Sequence, residues 1–268
     1  MTTPLFERDG DRYAATPLTS GPWDTEHCHG GATSALLAQL VEQVGSLVPM
    51  HTARLTVELL RPVTREPFEV RTEVMREGRR VQLVRAALLR ADGTELSTAT
   101  GLRVRRGELA LPEDADPLPP GLERGPDALS SFTGSDVWQA GFFEAAEVRL
   151  AEGALGVPSH GPGTPGVAAG WIRLRVPVVD DEPITALSRL AAAGDFGNGI
   201  SAPLPMDRYL FINPDLTIAV DRFPVDEWVG VASRSTTQAT GVGRTVTALA
   251  DHRGRLGTAL QSLYVAER

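Results

Sequence analysis

A histidine and two glycines stand directly before a run of apolar residues at helical spacing, in the segment HCHGGATSALLAQLVEQV at positions 27–44. Glycine lets a backbone approach a ligand closely, and the first N–H groups of a helix lack intrahelical acceptors and lie at the positive end of its dipole. Such donors stabilise charge that develops on a carbonyl oxygen. We therefore interpret His29, Gly30 and Gly31 as candidate substrate-binding residues, with a simple loop before a helix as the alternative.

The elements that would position these residues follow from hydrophobic periodicity. Apolar residues between positions 32 and 48 form one broad helical face, which is typical of a helix packed on a sheet. Alternation of apolar and polar residues then predicts four strands, at 55–59, 68–74, 81–89 and 96–104. The first half of the chain is therefore predicted to be one helix followed by antiparallel strands.

The same pattern returns in the second half of the chain. LTVELLRPV at 55–63 resembles LTIAVDRFPV at 216–225, and Leu96 and Ala99 align with Leu256 and Ala259 at an offset of 160 residues. A second helix is predicted from Ile184 to near Gly194 and Asp195. We infer a duplicated helix-plus-sheet unit, with units at 1–107 and 136–268 joined by a Pro-rich linker at 108–135. A single β-sandwich is the alternative, but it does not explain the helices.

Composition and charge exclude several classes of function. The net charge of −8 argues against a nucleic-acid partner, and we interpret the arginine clusters at 79–80 and 103–106 as solvated sheet edges. The chain has no lysine, which excludes Schiff-base chemistry and a lysine-held pyridoxal cofactor. The five histidines and the single Cys28 show no metal-ligand spacing, so we expect no metal. A polar start and the lack of long apolar runs predict a cytoplasmic protein without a membrane span.

The duplicated unit, with HGGATSALLAQ opening its first helix, resembles the hotdog fold, and the tandem resembles the double-hotdog acyl-CoA thioesterase II family. The resemblance implies an α+β tandem hotdog with two long helices, each wrapped by a curved antiparallel sheet. It also implies hydrolysis of a fatty acyl-CoA substrate to free acid and CoA without a cofactor, and assembly into homo-oligomers.

The resemblance further implies which residues carry the chemistry. Single-hotdog thioesterases carry an acidic residue eight positions after the second glycine, where this chain has Gln39. The second half supplies Asp195 in AAAGDFGNG, where the family has its catalytic aspartate, and Gln261 in GTALQSLYV matches the family's late glutamine. The family's hydroxyl position falls on or near Asn213, which is a departure, with Thr217 as the fallback in another register.

Asp195, Asn213 and Gln261 form a chemically coherent set, because a carboxylate can accept a proton from water while two amides orient the reactants. Each residue also has an ordinary alternative, as a helix cap, a turn or an exposed strand position. A non-catalytic acyl-CoA-binding protein is the main alternative function. An enoyl-CoA hydratase is a further one, although Ile200 stands where such relatives carry a histidine, and no GxSxG motif indicates a serine hydrolase.

Overall fold

The computed structural model of the chain describes residues 2–109, 117–132, 141–153 and 166–268, so parts of the expected linker, 110–116 and 133–135, lie outside it. Its helices are α1 (Gly30–Gln43), α2 (Phe142–Ala145), α3 (Ala186–Gly194) and α4 (Gly197–Ile200). The strands are β1 (Phe6–Asp9), β2 (Arg12–Ala15), β3 (Met50–Glu58), β4 (Phe68–Arg76), β5 (Val81–Leu89), β6 (Glu95–Arg105), β7 (Ala146–Glu152), β8 (Val167–Leu174), β9 (Tyr209–Ile212), β10 (Asp215–Val220), β11 (Trp228–Thr237), β12 (Val242–Asp251) and β13 (Gly254–Glu267).

These strands form one antiparallel sheet in the order β1-β2-β4-β5-β6-β3-β10-β13-β12-β11-β8-β7, with β9 paired to β13. Strands β3 and β10 meet at its centre, where Thr56 lies opposite Thr217. The strand order outward from this central pair is β6, β5, β4, β2 and β1 on one side. On the other side it is β13, β12, β11, β8 and β7. The segments that resemble each other in the sequence therefore hold matching places in the sheet.

Helix α1 is buried on all sides, from Gly31 to Val41. The sheet covers one side of the helix and α3 packs against another, where the Ser188 hydroxyl donates to the Ala35 carbonyl over 3.0 Å. Small side chains in α1 permit this close approach of two helices. A Cβ at Gly101 of β6 would overlap Val41, so the glycine lets the helix lie directly on the strand.

Helix α3 is shorter than the resemblance implies. It has nine residues against fourteen in α1, and Thr185 caps its start by accepting from the Ser188 N–H. At its end the Phe196 N–H donates to Ala193, a tighter turn than the α-helical one. Glycines at 194, 197 and 199 disfavour further regular helix. The expectation of two long helices is therefore wrong for the second helix. Within the described part of the chain, no helix is long and apolar enough to cross a membrane.

The structure differs from two expectations of the sequence analysis, one about the linker and one about the arginine cluster at 103–106. Residues 117–132, expected as part of a linker, pack on the sheet face that points away from the helices, where Leu122 is fully buried and the Arg124 carbonyl accepts from Trp171 Nε1. Arg103, expected at a solvated edge, is buried and donates to the carbonyl of Val44 just after α1 and to Gln82. This arginine therefore satisfies the end of the helix.

A charge cluster ties the β7 edge of the sheet to its neighbours. Glu147 accepts from Arg173 over 2.6 Å, from Arg149 and from the Ser131 hydroxyl. Both guanidinium groups also lie over the Trp228 ring, 4.8 Å from its centroid. Burial alone would raise the pKa of Glu147, but these hydrogen bonds lower it to about 2.

We expect Glu147→Gln to destabilise the protein by about 1–2 kcal/mol at pH 7, a value reduced for solvent screening of the arginines. Because the folded-state pKa is depressed, the carboxylate's contribution is present above pH 4.5 and is lost as the pH falls toward 2. Urea unfolding of both proteins at pH 7, 5 and 3 measures the difference. Glu7→Gln, at an exposed position of β1, is the matched control. A difference that stays constant down to pH 3 would contradict the assignment.

Candidate active site

A pocket of about 400 Å³ opens where the start of α1 meets the end of α3. His29 and Gly30 line it from the first half of the chain, and Asp195 and Asn213 line it from the second half. The volume lies within the range of small-molecule sites. The pocket therefore brings together two segments that are far apart in the sequence.

Asp195 is the buried carboxylate of this pocket, with 3% of its surface exposed at the residue that follows α3. Its Oδ1 accepts from Asn213 Nδ2 over 2.8 Å and from Gln261 Nε2 over 3.3 Å. Its Oδ2 lies 3.0 Å from His29 Nδ1. The structure thus places the two amide candidates, Asn213 and Gln261, and His29 around one carboxylate.

The two amides are themselves held in orientation. Gln261 lies on β13, where its Oε1 accepts from the backbone N–H of Asn198 over 3.2 Å, so its Nε2 is directed at Asp195. Asn198 also donates from its side chain to Asn213 Oδ1 over 3.3 Å. A Cβ at Gly197 would lie 2.9 Å from Gln261 Oε1, so glycine there leaves room for the amide. Sequence reasoning missed Asn198, whose only signal is its place three residues after Asp195.

His29 is fixed by packing and by two polar contacts. Its ring packs against both Phe142 and Phe196, at centroid distances of 4.7 and 5.5 Å. Nδ1 is 2.9 Å from the Gly31 N–H and 3.0 Å from Asp195 Oδ2. A neutral Nδ1 carries either a lone pair or a proton, so it caps α1 or donates to Asp195, but not both at once. The contact with Asp195 makes His29 a partner of the carboxylate rather than a loop histidine.

Gly30 lets the carboxylate reach the start of α1. A Cβ at this position would lie 2.8 Å from Asp195 Oδ2 and 2.9 Å from Oδ1. The Gly31 N–H is already donated to His29, whereas no acceptor is found for the Gly30 N–H within the described part of the chain. Among the described residues, Gly30 therefore has an unpaired backbone N–H at the positive end of α1.

Two other residues of the sequence analysis make no contact with the Asp195 carboxylate. Thr217, the fallback hydroxyl, sits on β10 and donates to Thr56 across the centre of the sheet. Cys28 lines the pocket, but burial raises the pKa of its thiol to about 11. Its thiol is therefore protonated at neutral pH and a poor nucleophile. Among the described residues no group of three His, Cys, Asp or Glu side chains could hold a metal ion.

The matching position in the first half carries no carboxylate. Gln39 and Asp195 each lie nine residues after the first residue of their helices, α1 and α3. The Gln39 Nε2 donates to Glu182, which precedes α3 and also accepts from Gln43. Gln39 is buried, and the described pocket opens at Asp195 instead.

Comparisons with known proteins agree with this architecture. The profile of the acyl-CoA thioesterase N-terminal domain matches residues 19–104, and that of the acyl-CoA thioesterase C-terminal domain matches residues 112–265. A search of curated proteins gave no match.

Three solved structures resemble nearly the whole chain. A conserved protein of unknown function with a hotdog fold from Alicyclobacillus acidocaldarius has 19% identity, a TM-score of 0.72, and coverage of 97% of this chain and 95% of its own. A Thermobifida fusca protein provisionally named thioesterase II has 20% identity, a TM-score of 0.71, and coverage of 99% and 100%. An acyl-CoA thioesterase II from Mycobacterium marinum has 19% identity, a TM-score of 0.65, and coverage of 98% and 96%. At these identities the likeness shows the hotdog fold.

Proposed function

This chain belongs to the acyl-CoA thioesterase family, and on that premise we propose that it hydrolyses an acyl-CoA thioester to the free acid and CoA with water activated by Asp195. The observation that carries the proposal is the buried Asp195 carboxylate on the pocket wall, held by Gln261 and Asn213. A tandem hotdog within one chain, a cytoplasmic location and further assembly into homo-oligomers belong to the same proposal.

The proposed reaction uses Asp195 twice, first to take a proton and then to return it. The oxygen of water attacks the thioester carbonyl carbon while the carboxylate takes a proton from that water. The carbonyl oxygen becomes negative and accepts from the Gly30 N–H at the start of α1. The carbon–sulfur bond then breaks, and the CoA sulfur takes the proton from Asp195. The free acid and CoA then leave the pocket.

The amides and His29 act on Asp195 rather than on the thioester in this scheme. Donation from Asn213 and Gln261 to Oδ1 fixes the carboxylate and leaves Oδ2 as the basic oxygen. Once Oδ2 holds a proton, its O–H can donate to Nδ1 of His29, 3.0 Å away, in place of the Gly31 N–H that Nδ1 otherwise accepts. An asparagine in place of the family's hydroxyl residue is compatible with this role, because the role requires only a donor.

The contact between His29 and Asp195 also favours a second candidate, hydration of an enoyl-CoA. An aspartate and histidine side by side can deliver water to one carbon of the double bond and a proton to the other. In this chain the histidine would come from the start of α1, since Ile200 occupies the position five residues after Asp195 and is buried.

The test is free-thiol release from saturated acyl-CoAs of two to sixteen carbons, with an enoyl-CoA included. We expect turnover in the wild type and about 10²-fold less in Gly30→Ala, because the new methyl group displaces the carboxylate. Gly45→Ala is the matched control, since a Cβ there meets nothing within 4 Å. Loss of the enoyl absorbance without thiol release would support hydration instead. Binding of acyl-CoA without any product would refute both reactions.

A further inference from the structure

The pocket extends from Asp195 to a second polar position on β6. The Leu59 N–H donates to the Pro214 carbonyl over 2.8 Å, next to Asn213, and the Arg61 N–H donates to the Leu96 carbonyl over 2.8 Å, next to Ser97. Leu59, Arg61 and Ser97 all line the pocket. The segment 59–63 therefore forms a continuous wall from the carboxylate site to Ser97.

Ser97 points into the space between the sheet and α1. On β6 it shares the strand face of Gly101, which contacts Val41, and of Arg103, which donates to the carbonyl of Val44. Because Arg103 and Gly101 meet the last turns of α1, Ser97 lies further along, toward the first turns of that helix. That is the end of α1 where Asp195 is found.

The Ser97 hydroxyl is fully buried and has no hydrogen-bond partner among the described residues. A buried hydroxyl without a partner destabilises the fold, and native proteins leave few of them. The walls around it at Leu59, Pro62 and Val63 are apolar. Ser97 thus places an unpaired hydroxyl at an apolar part of the pocket wall, and ligand sites use such groups to fix the orientation of a polar atom.

We propose that the pocket selects an acyl group bearing an oxygen on its chain, a hydroxyl or keto group, which hydrogen-bonds to Ser97. This inference rests on the proposed thioesterase function. A plain hydrocarbon chain next to Ser97 would leave the hydroxyl unpaired, whereas an oxygenated chain supplies the missing partner. A site built to pair with a substrate oxygen discriminates against the analogue that lacks it.

The experiment compares kcat/KM for hexanoyl-CoA with that for 3-, 5- and 6-hydroxyhexanoyl-CoA. We expect the wild type to prefer at least one hydroxylated substrate about tenfold, the effect of one neutral hydrogen bond, and Ser97→Ala to abolish that preference. Ser34→Ala is the matched control, because Ser34 is equally buried and unpaired but does not line the pocket. Ser34→Ala should prefer the hydroxylated substrate over hexanoyl-CoA as strongly as the wild type does.

Equal substrate ratios in wild type and Ser97→Ala would overturn the inference. If Ser97→Ala does not fold, as judged by circular dichroism, Ser97→Cys provides the same comparison with a much weaker donor. If no substrate releases thiol, the Kd values of the same CoA esters are measured by calorimetry. A hydroxyl preference that depends on Ser97 in binding alone would support the pocket assignment while the thioesterase proposal fails. No preference in binding would refute the pocket assignment.

Discussion

Asp195→Asn is expected to lower thiol release from the best acyl-CoA substrate about 10³-fold, the middle of the range for loss of a general base. The amide keeps the size of the carboxylate but cannot take a proton from water. Its carbonyl oxygen can still accept from Asn213 and Gln261, while its NH2 group takes the place of Oδ2, the proposed basic oxygen. The fall should appear mainly in kcat, because the proposed role of Asp195 belongs to the transition state.

Asp92→Asn is the matched control for this change. Asp92 lies exposed in the turn between β5 and β6, where its side chain accepts from the Thr94 N–H, a contact that asparagine retains. We expect its activity to equal that of the wild type. Full activity in Asp195→Asn would show that another group activates the water and would refute the proposed mechanism.

The largest loss of stability is expected from Asp251→Ala. Asp251 is fully buried at the end of β12 and accepts from both terminal nitrogens of Arg222, over 2.7 and 2.6 Å. It also accepts from the N–H groups of Val225 and Arg253. Removing one partner of a buried charge pair costs about 3–5 kcal/mol, and the partial exposure of Arg222 favours the lower end.

Urea unfolding at pH 7 measures this loss, with Asp11→Ala as the control. Asp11 is exposed in the turn between β1 and β2, so its loss should change the free energy of unfolding by no more than about 0.5 kcal/mol. An effect of Asp251→Ala below about 1 kcal/mol would mean that the pair and its backbone contacts contribute little to the fold.

Sequence periodicity predicted the strands well because alternating burial is a local property. Leu55 and Val57 point into the core from β3, as Leu216 and Ile218 do from β10, and each pair was visible as alternation. The end of α3 was predictable as well. Its apolar run continues to Ala193 before a glycine, and the helix ends at Gly194 as the sequence predicts.

The candidate site depends on contacts between residues far apart in the sequence, which no local sequence pattern predicts. Asp195 was proposed from resemblance, and the structure places Gln261 and Asn213 beside it. The contact with His29 depends on how α1 crosses α3, so sequence reasoning gave His29 a role at the substrate instead. Nothing in the sequence marked Ser97 as a site residue. The sequence of a buried strand does not show whether a serine hydroxyl has a hydrogen-bond partner.

The pairing of β3 with β10 within one chain has a consequence for the number of acyl-CoA molecules that each chain binds. When two matching units are separate identical chains, every substitution occurs in both, and both sites keep or lose their acid together. In one covalent chain the two positions can differ, as Gln39 and Asp195 do. Saturation binding should therefore approach one acyl-CoA per polypeptide, however many chains assemble.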